Sequence, residues 1–204
     1  WETLGMVVMT VVIGGIGGLV RGSLLYATRR GGLLANKIVH PILNVIVNSI
    51  RPIPFIIFMT AIAPLTLKVI GTTIGVRAAT FPLCIAATFA ISRIVEQNLV
   101  TVDPGVIEAA RAMGAGPWRI LFDVVAREAL GPLILGYTYI LIAIVDMTAI
   151  AGALGGGGLG QFAITYGYQR YNWAVTAVAV VTIIIVVQLA QFLGNWLARR
   201  ALRR

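Results

Sequence analysis

The sequence predicts an all-α membrane protein. Five helices span the bilayer, and a short cytoplasmic helix lies between the third and fourth. Three observations carry this reading: the composition, the spacing of apolar stretches and the sidedness of the basic residues. Of 204 residues, 59% are hydrophobic and 11% are charged, against about 25% charged in an ordinary soluble chain. The mean hydropathy is +0.94. These values exclude a soluble globular domain, a disordered tail and a disulfide scaffold. The single cysteine, Cys84, permits no disulfide or cysteine-based metal site within the chain. A net charge of +9 would suggest nucleic acid in a soluble protein. In so apolar a chain it reads as membrane topology, and no nucleic-acid partner is expected.

A spanning helix needs about 20 mainly apolar residues. Five stretches qualify, at 4–27, 43–67, 76–100, 131–154 and 173–197, so residues 1–204 read as one transmembrane domain. The chain opens on Trp1, and its native start is expected to lie upstream. The first stretch is too long for the apolar core of a signal peptide.

The first span is crowded with Gly14, Gly15, Gly17, Gly18 and Gly22. Gly14 and Gly18 form a G-x-x-x-G pattern that permits close helix approach, expected here within one subunit. Pro52, Pro54 and Pro64 interrupt the second span. Such breaks are tolerated where a helix packs on neighbours or lines a cavity. In the third, Arg93 and Glu96 are three apart and suit a local ion pair, while Cys84 reads as a small packing residue. The fourth carries Asp146, Met147 and Thr148. The fifth has no formal charge between Trp173 and Trp196. Those tryptophans are about 35 Å apart at helical rise, which suits an aromatic anchor at each interface. Gln188 and Gln191 are candidates for hydrogen bonds between helices.

Orientation follows from the basic residues, which favour the cytoplasmic side. A cytoplasmic C-terminus places Arg199, Arg200, Arg203 and Arg204 inside. The same orientation puts Arg29, Arg30 and Lys37 in one inner loop and Arg111, Arg119 and Arg127 in another. Arg21, Arg51 and Arg93 fall near cytoplasmic ends, and only Lys68, Arg77 and Arg170 remain outside. An odd number of spans then sets the N-terminus outside. Gly71 to Gly75 form a short outer turn, 155–172 a longer glycine-rich outer loop, and 101–130 the longest polar region.

Within that inner region, 103–114 reads as one short helix. Asp103 suits the N-cap, Pro104 the first helical position and Gly114 a left-handed stop. Gly116 and Pro117 open a second helix that leads to the fourth span. Ile107, Ala110 and Met113 form a narrow apolar edge, and Glu108 and Arg111 are spaced to pair weakly. Two readings are open for this helix: an interfacial helix without a partner, or a helix that docks in another protein's groove.

Asp146 lies at membrane depth, where an ionisable residue is a functional candidate by default. It could meet a substrate ammonium, face an outer vestibule, or pair with Arg21 or Arg77. Met147 and Thr148 could line the same pathway. Gly155 to Gly160 match G-x-G-x-x-G, but no strand precedes them, so dinucleotide binding is excluded. A tight turn or a gate element remains. His40, just before Pro41, reads as a solvated residue. The chain has no G-x-x-x-x-G-K-[ST] and no H-E-x-x-H. No catalysis, cofactor or metal is therefore expected, and energy must come from a separate subunit. Five spans enclose a solute pathway poorly, and a homodimer with the pathway on its two-fold axis is the economical solution.

Glu108-Ala109-Ala110, followed after three residues by Gly114, resembles the EAA loop of ABC importer permeases. Further segments resemble the methionine-type subfamily: Arg51-Pro52-Ile53-Pro54-Phe55-Ile56, Ile107 to Ala115, Gly157 to Gln161, Tyr166-Gly167-Tyr168 and Leu25 to Arg29. They follow the family's order along nearly the whole chain. The resemblance implies a type I importer permease fold, with residues 103–114 as the coupling helix in a cleft of a cytoplasmic ATPase. It also implies ATPase-coupling roles for Glu108, Ala109, Ala110, Arg111, Met113 and Gly114. The implied partners are a second copy of the chain, two ATPase subunits, an extracytoplasmic substrate-binding protein and membrane lipid, in a bacterial inner membrane. The implied substrate is L- and D-methionine; another amino acid or an osmoprotectant is the alternative. A stand-alone channel or membrane scaffold is the rival outside the class. Gly116 stands where the family has Thr or Ser, and Arg127 replaces one of two prolines before the fourth span. Arg21 and Asp146 stand where uncharged residues are expected.

Overall fold

The computed structural model describes residues 1–202, so Arg203 and Arg204 lie outside the described residues. Its centre is a pair of long helices, α1 (Glu2–Thr28) and α5 (Val76–Val100). They match the first and third predicted spans to within two residues at each end. Gly14, Gly18 and Gly22 form a stripe on α1 that faces Ala87, Ile91 and Val95 of α5. A Cβ on Gly14 would sit 2.9 Å from Ala87 Cβ, one on Gly18 2.5 Å from Ile91 Cβ, and one on Gly22 2.6 Å from Val95 Cβ. Real side chains do not approach so closely. The G-x-x-x-G pattern thus serves packing within the chain. The three pairs advance together along both helices, so α1 and α5 run parallel.

The second span departs from the expected rod. It is divided into α2 (Val39–Ile50), α3 (Phe55–Ala61) and α4 (Ala63–Ile70). The axes of α2 and α3 differ by 106°. Pro52 and Pro54 explain the break, because each lacks an N–H and disfavours a helical residue before it. Pro54 caps α3 at φ −54°, ψ 135°, and Pro64 stands in the first turn of α4. Gly71 ends α4 at φ 84°, the left-handed stop that favours glycine. Four helices are long and apolar enough to cross a membrane, and there are five if the bent α2–α3 pair counts as one broken span.

After α5 the chain forms α6 (Pro104–Ala112), α7 (Pro117–Arg119), a π-helical turn at Ile120–Val125, α8 (Ala126–Glu128) and then α9 (Leu130–Ala151). α9 runs antiparallel to α5, since Gly136 faces Ile94 and Asn98 while Ala151 shares a cluster with Ala79 and Leu83. α11 (Trp173–Leu202) reverses again, with Gly194 against Thr138 and Leu202 against Gly131. It is buried at Ala179, Gly194 and Ala198 only. Gln188 is exposed there and Gln191 half-buried, and no side-chain hydrogen bond between helices joins either among the described residues.

The segment expected as a glycine-rich loop is largely helical. A π-helical turn at Gly152–Gly156 leads into α10 (Gly158–Gln161), a second π-helical turn at Phe162–Gly167 and a 3-10 turn at Tyr168–Arg170. Glycine is required by geometry: Gly155 and Gly157 have φ 91° and 84°, and a Cβ on Gly152 would sit 2.5 Å from the Gly157 carbonyl oxygen. The start of α1 ties this segment down. Gly158 N–H donates to Glu2 Oε2 at 2.6 Å, and Leu159 N–H donates to Thr3 Oγ1 at 2.8 Å.

If the glycine stripe sets the α1–α5 distance, Gly22→Val should destabilise the fold by about 1–3 kcal/mol through overpacking. Gly5→Ala, whose new Cβ meets nothing within 4 Å, should not. Thermal unfolding in detergent checks both, and equal melting points for the two variants would contradict the packing account.

Candidate functional site: the inner loop and charges at membrane depth

The loop helix α6 is built as its sequence demands. Asp103 Oδ1 accepts from Gly105 N–H at 2.7 Å and Pro104 occupies the first turn. Gly114 then turns the chain at φ 79°. Ala110, 3% exposed, anchors the helix in a cluster with Tyr26, Val102, Ile120 and Leu121, and Ile107 packs beside it. Met113 does not extend this edge. It follows the helix as its C-cap, where the chain turns away, and is 81% exposed. Glu108 and Arg111 do not pair among the described residues. The ion pairs of this region join Asp123 to Arg119 and to Arg127, each at 3.8 Å and exposed; such pairs contribute at most about 1 kcal/mol each.

Opposite the anchored edge, the loop presents Glu108, Ala109, Arg111, Met113 and Gly114 to the outside. Trp118 and Phe122 are also exposed and stack with centroids 6.1 Å apart. Sequence reasoning passed over these two aromatics. Their signal was an aromatic pair at i, i+4 directly after Gly116-Pro117. Exposed apolar groups that cluster this way mark a contact surface.

The second set of residues lies within the spans. Asp146 is exposed on α9 and pairs with neither Arg21 nor Arg77. Tyr139 and Leu135 are exposed on the same face, about two and three turns toward the start of the helix. Met147 is half-buried against Phe55, Leu83 and Ala151. Thr148 faces inward, 1% exposed, and its hydroxyl donates to the Val145 carbonyl at 2.7 Å. Of the three pathway candidates, Asp146 alone is fully exposed.

Arg21 stacks its guanidinium 4.4 Å from the Phe89 ring centre, with Nη1 buried and unpartnered. Arg93 pairs with Glu96 at 2.6 Å, as expected. Cys84 is buried, with its thiol 3.8 Å from the Met9 carbonyl oxygen. His40 is not simply solvated, for its Nδ1 donates to the Leu25 carbonyl at 3.2 Å.

Arg51 departs most from its expected place. It lies in the α2–α3 turn, between Ile50, which packs near Phe89 and Ile85, and Phe55, which packs on Ala79 and Leu83. Ile85 is roughly 13 Å along α5 from its first residue, so Arg51 sits part-way along the bundle rather than at the end that carries α6. The proline break carries it there. An Arg or Asp at the centre of a lipid-facing helix costs about 2.5–3.5 kcal/mol on insertion scales. Both Arg51 and Asp146 are exposed on the single chain, where facing lipid would carry that cost.

A helical bundle of this topology, with a capped knuckle at one end and charges on the open face of its spans, defines a membrane-embedded transport component. The chain belongs to the family of binding-protein-dependent transport system inner membrane components, which it matches over residues 18–203. It is 41% identical over 200 residues to a probable D-methionine transport system permease protein, MetI, of Vibrio cholerae, covering 98% of this chain and 89% of that one. It is 43% identical over 172 residues to the methionine import system permease protein MetP of Bacillus subtilis, covering 84% and 78%. The structure resembles a chain of the MetNI methionine ABC transporter in an inward-facing conformation, with TM-score 0.96 and 42% identity over 98% of this chain and 93% of that one.

Loss of the N-cap in Asp103→Ala should cost about 1 kcal/mol. Amide exchange at 105–108 should then rise roughly five-fold, while exchange in α5 stays unchanged. Hydrogen-exchange mass spectrometry checks this.

Proposed function

We propose that the chain is the permease subunit of an ATP-driven importer of L- and D-methionine, and that two copies form the pathway between them. The observation that carries this reading is the inner loop. It is fixed to the bundle on one side by Ala110 and Ile107 and presents Ala109, Met113, Trp118 and Phe122 on the other. Docking in a partner's groove accounts for those exposed apolar groups better than a solvated loop does. The methionine substrate rests on the names of the relatives.

The basic residues set the N-terminus outside and the C-terminus in the cytoplasm. The loop then meets two cytoplasmic ATPase subunits, which supply the ATP chemistry that this chain's sequence has no loop to perform. An extracytoplasmic binding protein delivers the substrate on the opposite face. ATP binding brings the ATPases together and draws the paired loops inward. The bundles then rock to open the pathway outward, and hydrolysis reverses the movement. Glu108 orients the loop, Ala109 and Ala110 allow close contact, Arg111 and Met113 meet the ATPase, and Gly114 supplies the turn. Asp146 faces the pathway, with Met147 and Thr148 behind it.

The test is methionine uptake by proteoliposomes that hold the permease, its ATPase and its binding protein. Gly114→Val forces a β-branched residue to a left-handed φ, a strain of about 1–3 kcal/mol and so roughly ten-fold in the coupled equilibrium. The complex should assemble and hydrolyse ATP, while methionine moved per ATP falls by that factor. Unchanged coupling would sink the assignment of the loop.

A further inference from the structure

We propose that Arg51 and Asp146 form one subsite for an amino-acid zwitterion. The Arg51 guanidinium takes the substrate carboxylate and Asp146 takes its ammonium. The inference rests on the reading of the chain as an amino-acid importer permease. It adds which side chains recognise the two charges that every such substrate carries.

Depth is the first argument. Arg51 stands between the Ile50–Ile85 and Phe55–Leu83 levels of the bundle. Asp146 immediately precedes Met147, which packs against the cluster that holds Phe55 and Leu83. α3 touches α9 directly. The two charges therefore adjoin one packed layer part-way along the bundle, the one that holds Phe55, Leu83 and Met147.

Availability is the second. Both side chains are exposed on the single chain, and neither forms an ion pair among the described residues. Deeper in the spans, Arg93 pairs with Glu96 and Arg21 stacks on the Phe89 ring, while Arg77 stands in the first turn of α5. A free charge that faces lipid within a span is costly. In a permease of two copies the pathway between them is the aqueous compartment, and the proposed subsite places both charges there.

Chemistry is the third. A planar guanidinium binds a carboxylate through two parallel N–H donors, and an aspartate accepts from an ammonium. Many secondary transporters place substrate sites at helices broken near the midplane, and Pro52 and Pro54 break this helix beside Arg51.

The test compares uptake of methionine, methionine amide and the des-amino acid by the reconstituted complex, with the same binding protein throughout. In Arg51→Gln the preference for methionine over its amide should fall at least ten-fold, with Arg51→Lys in between. In Asp146→Asn the preference over the des-amino acid should fall similarly. In a Cys84→Ala background, Arg51→Cys and Asp146→Cys should both react with a membrane-impermeant thiosulfonate. Unchanged preferences in complexes that retain the ATPase would overturn the subsite and leave the importer reading standing. Failure of the reagent to reach either cysteine would overturn it too. Restored methionine uptake in the exchange variant R51D/D146R would show a latch between the two charges instead. If the unaltered complex imports no amino acid, the importer reading fails and the subsite with it.

Discussion

The close parallel contact of α1 and α5 sets the geometry of everything else. Lipid offers no hydrophobic drive for helices to associate, so contact depends on how nearly two backbones can approach. Gly14, Gly18 and Gly22 let α1 settle against Ala87, Ile91 and Val95 with no side chain between them. The broken span α2–α4 then packs on one flank of this pair. α9 packs on the other and carries α11 outside it. One end of the pair, through Tyr26, Val95 and Leu99, makes the floor to which Ala110 and the loop helix are fixed. Its other end, through Glu2 and Thr3, holds the glycine-rich segment after α9. One element therefore ties both ends of the bundle together, which suits a component that relays events from one end to the other.

The layout that results is asymmetric. The loop offers a fixed apolar knuckle at one end, and α9 and the α2–α3 turn offer charges part-way along the bundle. Neither Arg51 nor Asp146 forms an ion pair among the described residues. The proposed assembly answers both features: a second copy of the chain would enclose the pathway, and an ATPase would receive the loop.

Much of this was legible in the residues. Continuous spans such as 76–100 are set by local apolarity alone, and local signals suffice to find them. The cap at Asp103 and the stop at Gly114 depend on backbone rules that act within a few residues, and they too stood in the sequence. What did not stand there is geometry that proline and packing decide together. Pro52 and Pro54 announced a break, but not a 106° bend, and so Arg51 was expected at the inner interface. The glycines at 155–160 announced a turn, but not the short helices that follow. Helical periodicity put Met113 on the buried edge because it assumes that the helix continues, whereas the chain leaves α6 at Met113. Asp146 was visible as a charge out of place, and that it forms no ion pair among the described residues emerged only from the packed bundle.

A permease of the proposed kind works as one of a pair seated on ATPase subunits. Native mass spectrometry of the protein extracted from its own membrane in mild detergent should then find a particle of two copies of this chain with two of an ATPase. The particle should lose the ATPase when Glu108 and Gly114 are both replaced. A folded chain that is recovered singly, or paired but never with an ATPase, would contradict it.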